Sequence, residues 1–114
     1  MIWFRILLVS MFAALLYYTI VTIGISQNGV NLFPDFFGDM AAMEWPGQFN
    51  FDFMLMLMLS ALWTAWRNNF SVSGLLLAVI AFFGGASFLS MYLLYLTFSE
   101  KRNVKAMLVG RTRL

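Results

Sequence analysis

A chain of 114 residues that is 62% hydrophobic, 18% aromatic and 11% charged, with a formal net charge of +2, is too apolar for an ordinary soluble domain. Globular chains are roughly 45–50% apolar and about 25% charged, and small domains bury only about 60–70% of the surface the unfolded chain exposes. Much of this chain must face something other than water, and the absence of cysteine and histidine excludes a disulfide scaffold, a thiolate metal site and a thiol nucleophile, along with the commonest metal ligand and general base.

The first predicted element is residues 6–25, ILLVSMFAALLYYTIVTIGI, an uncharged run. At 1.5 Å per residue it reaches about 30 Å, the thickness of a bilayer's hydrocarbon core. Arg5 precedes it like the basic flank of a signal peptide, but the run exceeds the usual apolar segment of about 7–15 residues, so it reads as a retained span. Without cysteine there is no lipoprotein anchor.

Residues 26–50 connect this span to the next, with Asp35, Asp39 and Glu44 and no basic residue. Within the connection, FPDFFGDMAAMEW places Phe33, Phe36, Phe37, Met40 and Met43 at helical spacing after Pro34. The pattern predicts a short interfacial helix over residues 33–45, weakened by Gly38 and ended by a turn at Pro46-Gly47.

The second span is predicted over residues 50–67. Methionine and leucine alternate from Met54 to Leu59, but both are apolar and good helix formers. A lone strand in lipid would leave its backbone unpaired, so the helix is favoured. A link of about five residues, 67–71, makes the third span, residues 72–98, its antiparallel neighbour. The expected fold is therefore all-α: three transmembrane helices in a single membrane domain, with an interfacial helix in the first connection.

Residues 99–114 form a basic tail with Lys101, Arg102, Lys105, Arg111 and Arg113. Three spans put the two ends of the chain on opposite sides and the acidic connection on the tail's side. The count of Lys and Arg then favours a cytoplasmic C-terminus, although Arg5 argues the other way. The tail reads as a ligand for anionic lipid headgroups, with attraction to the acidic connection as the alternative.

Asp52 is the residue most suggestive of chemistry, because an acid within hydrocarbon is costly unless paired. It also reads as a first-turn acid meeting the helix dipole, with Asn50 as cap. A polar or ligand-binding cluster would combine Asp52 with Tyr17, Thr22 and Trp63, with Thr19 at similar depth. Trp63, Trp66 and Arg67 otherwise read as an aromatic belt with a snorkelling arginine, level with Trp3 and Phe4. Trp45, Tyr92 and Tyr95 would form the belt opposite. Gly74, Ala78, Ala81 and Gly85 line one face of the third span and predict close helix packing, within the chain or between copies. The nine methionines read as apolar filler, since no other soft ligand accompanies them.

Two stretches, FNFDFMLMLMLSALWTAWR and GGASFLSMYLLYLTFSEKR, resemble a family of small three-span bacterial membrane proteins with no assigned activity. The likeness covers residues 49–100. It implies a bacterial inner-membrane location and adds no mechanism.

Phosphate-cradling loops, paired nucleophiles and metal-binding clusters are not evident in the sequence, so no cofactor, metal or catalytic role is expected. Nucleic acid is not an expected partner of so short a tail. The favoured reading is a non-catalytic accessory or self-associating membrane subunit, with membrane lipids and other membrane proteins, or further copies, as partners. The alternative is a binder or modifier of a quinone, isoprenoid or carotenoid near Asp52. A proton or ion pathway would need more intramembrane ionisable groups.

Overall fold

The computed structural model describes residues 1–25, 32–101 and 103–113, and every regular element among them is helical. The chain is an all-α membrane protein. Three helices are long and apolar enough to cross a bilayer: α1 (Ile2–Ile25), α3 (Trp45–Arg67) and α4 (Val72–Ser99). Between the first two lies α2 (Phe33–Ala42), and after α4 come α5 (Val104–Val109) and a 3₁₀ turn (Arg111–Arg113).

α2 opens with proline in its first turn and closes one turn earlier than the sequence predicts. Met43 adopts a left-handed conformation (φ 56°) and its amide returns to the Met40 carbonyl, which stops the helix there. Pro46 belongs to the first turn of α3, where the missing N–H has no intrahelical partner to lose. Gly47 is buried against α2, and a Cβ at that position would overlap the Asp39 carbonyl. Asn50, expected as a cap, lies inside α3 and donates to the Phe36 carbonyl at 3.2 Å. Together these contacts run α2 back along the first turns of α3.

α4 departs most from a straight rod. Gly85 carries φ 54° and ψ −135°, which breaks the helix into arms of residues 72–84 and 86–99. The arms fold back on each other. The start of the first arm lies beside Asn68, whose Cβ approaches Gly74, while just past the second arm Glu100 bonds to Arg67 at 3.2 Å. A straight helix of this length would hold those points about 40 Å apart. Leu77 of the first arm also joins Tyr92 and Leu96 of the second in one apolar cluster.

This reversal places α4 between α1 and α3 and brings the N-terminal end of α1 to the level of the C-terminal tail. The two chain ends, expected on opposite sides, therefore meet at one end of the bundle. Met1 and Phe4 pack on the cluster of Tyr92, Leu96 and Met107. The acidic α2 is at the far end of α3, away from the basic tail it was expected to accompany. Tyr92 and Tyr95 consequently lie with Trp63 and Trp66, and not with Trp45.

Candidate functional site

The polar groups of the bundle concentrate where α3, α4 and α5 meet. Arg67 closes α3, and its side chain is only 7% exposed. Its Nε donates to the Met107 carbonyl at 2.5 Å and its Nη2 to the Ala106 carbonyl at 3.2 Å. The same Nη2 meets Glu100 Oε1 at 3.2 Å, and Nη1 lies 3.4 Å from the Tyr92 hydroxyl. A buried guanidinium is tolerated only when its donors are engaged in this way.

The carbonyls Arg67 engages belong to the last turn of α5: that of Ala106 also accepts from the Gly110 amide at 2.9 Å, while that of Met107 is left to the side chain. Trp63 completes the arrangement by donating its indole N–H to the Leu108 carbonyl at 2.9 Å, and Arg113 Nη1 reaches the Val109 carbonyl at 3.3 Å. Side chains thus satisfy the whole C-terminal end of α5, and the cation of Arg67 faces the negative end of its dipole. At the other end the Asn103 side chain accepts from the Ala106 amide at 3.2 Å. A six-residue helix is far too short to persist alone, so its docking on α3 is what holds it helical.

Glu100 ties the tail back to α4. Its second oxygen accepts from Arg111 Nε at 2.7 Å, and Arg111 also donates to the Ser99 carbonyl at 2.6 Å. The hydrogen bond from Arg111 holds the Glu100 carboxyl below its usual range, assisted by the charges of Arg111 and Arg67 and opposed by burial. Arg5 fastens α1 to the same end. It donates to the Thr97 hydroxyl and carbonyl, each at 3.0 Å, and its guanidinium stacks 3.8 Å from the Phe98 ring centre. An open cleft of about 470 Å³ remains here, bounded by Asn68, Tyr92, Tyr95, Ser99, Arg111 and Thr112.

The residues singled out from the sequence are not gathered into one site. Asp52 is exposed in the second turn of α3, and Trp63 is three turns away, about 16 Å along the helix. Thr22 donates to the Tyr18 carbonyl of its own helix at 2.8 Å, and Thr19 likewise to Leu15. Tyr17 is 73% exposed. Of the small residues on α4, Gly74 and Ala81 are buried, Ala78 is half-buried, and Gly85 rests on Phe53 and Leu57 of α3. Among the tail cations, Lys101 and Lys105 are exposed, while Arg111 and Arg113 engage the protein itself. Arg102 lies outside the described residues.

Sequence reading missed Arg67 and Glu100 as partners because it placed them at opposite faces of the membrane. The available signal was the Gly84-Gly85 pair within an apolar run several residues longer than a bilayer needs. Comparisons with protein-family models, curated proteins and solved structures find no match for this chain.

Proposed function

We propose that this protein is a non-catalytic membrane subunit that works by helix association within a bacterial cytoplasmic membrane. The observation that carries this reading is α1. That helix has 24 residues and a single buried one, Leu8, and the second arm of α4 borders it along residues 2–10. Above that point Tyr17 and Tyr18 are 73% and 72% exposed. They lie about 18–20 Å along the helix from Arg5, at hydrocarbon depth, where a phenol gains from an acceptor on a neighbouring helix.

The test is gentle purification from native membranes with mass spectrometry of both proteins and lipids, on the wild type and on the double variant Tyr17→Phe, Tyr18→Phe. A discrete complex, with another protein or further copies, that weakens in the double variant is expected. A monomer accompanied only by bulk phospholipid in both preparations overturns the proposal. A stoichiometric quinone, isoprenoid or carotenoid on that monomer would instead favour the lipophilic-ligand reading.

A further inference from the structure

We infer that α4 is a re-entrant hairpin: it enters and leaves the membrane on one face, so the chain crosses twice and carries both of its ends on the cytoplasmic side. Three observations converge on this arrangement, and none depends on whether the protein associates with others.

The first is length. Each arm, residues 72–84 and 86–99, spans about 20 Å, against the roughly 30 Å of hydrocarbon a crossing requires. α1 and α3, at 24 and 23 residues, are each long enough to cross.

The second is the environment of the tip. A broken helix at membrane depth exposes backbone groups, which is tolerated only where protein covers them. Gly85 lies against α3, with Phe53 Cζ 3.0 Å and Leu57 Cδ2 3.5 Å from where a Cβ would stand. The hairpin itself is held between α1 and α3.

Charge supplies the third. Arg5, Arg67, Lys101, Lys105, Arg111 and Arg113 all fall at the end where the hairpin opens. Asp35, Asp39 and Glu44 fall at the other, on or beside α2. Basic residues in short segments next to spans are retained in the cytoplasm, and here a single orientation satisfies every described one. With a straight third span, Arg5 and Arg67 would oppose the tail, which is the conflict the sequence alone presents.

Because the chain contains no cysteine, single cysteines report sidedness without a background. Ile2→Cys, Lys105→Cys and Glu44→Cys would be probed with a membrane-impermeant maleimide in spheroplasts and in inverted vesicles. Ile2→Cys and Lys105→Cys should label only in inverted vesicles, and Glu44→Cys only in spheroplasts. Labelling of Ile2→Cys and Lys105→Cys from opposite faces overturns the hairpin, and the fully reversed pattern overturns the orientation. A second measurement uses Asn69 and Thr112, whose side chains meet at 3.1 Å. Oxidation of the pair Asn69→Cys, Thr112→Cys should close an intrachain disulfide, read on the monomer band as loss of maleimide gel shift. A straight crossing would separate the two by the bilayer and leave both thiols free.

Discussion

Arg67 has more than one role. It donates to the Met107 and Ala106 carbonyls at the end of α5, partners Glu100, and lies 5.9 Å from the ring centre of Tyr92. Replacing it with leucine removes the cation and strands the Met107 carbonyl, while the Ala106 carbonyl keeps the Gly110 amide, and breaking a buried ion pair typically costs about 3–5 kcal/mol. Arg67→Leu should therefore release the tail, read as rapid protease cleavage within residues 103–113 while the spans stay protected. Arg67→Lys should recover little of the loss, because an ammonium lacks the planar fork that reaches several acceptors at once. Glu100 adds a dependence on pH. Its folded carboxyl titrates below the ordinary value of 4.5, so the stability it contributes is present above that value and fades as pH falls through the folded one. Tail protection in wild-type protein should thus decline at acid pH below about 4.5. Glu100→Gln should show weaker protection at neutral pH and a flattened pH profile.

At the scale of elements, the glycines separate into those the fold requires and those it does not. Gly47 and Gly85 are required for different reasons, one because the α2 backbone occupies the space of a side chain, the other because its φ of 54° disfavours L-residues. Gly24 and Gly38 have nothing within 4 Å of a added Cβ. Alanine at Gly47 or Gly85 should lower thermal stability in detergent, at Gly85 by about 1–3 kcal/mol from backbone strain. Alanine at Gly24 or Gly38 should be neutral or slightly stabilising, since it improves helix propensity. Comparing the four melting curves checks the distinction. The same glycines mark where sequence reading succeeded and where it stopped. Hydropathy and the need to pair backbone groups in lipid place α1, α3 and α4, because those depend on composition and length. The direction of the chain after Gly85 depends on one backbone torsion, which composition does not encode. Pro46-Gly47 likewise reads as a turn from its residue types, yet proline suits a first helical turn and glycine a close helix contact equally well.

For the whole molecule, the fold class was legible and the candidate site was not. Asp52, Tyr17, Thr22 and Trp63 were grouped by depth along idealised rods, whereas the structure joins residues by the reversal of α4. Arg67 and Glu100, separated by an entire apolar helix in sequence, become neighbours through it. That reversal also gives the bundle unequal halves. On the side where the hairpin opens, α1, α3 and both arms of α4 lie abreast. Beyond Gly85, among the described residues, the two long helices continue with the short α2 beside α3. If the hairpin enters from one face as inferred above, four rods would displace more lipid from that leaflet than three from the other, giving the protein the shape of a wedge. Inserted that way, it would relieve packing stress where the membrane bends toward its narrower half and add to it where the membrane bends the opposite way.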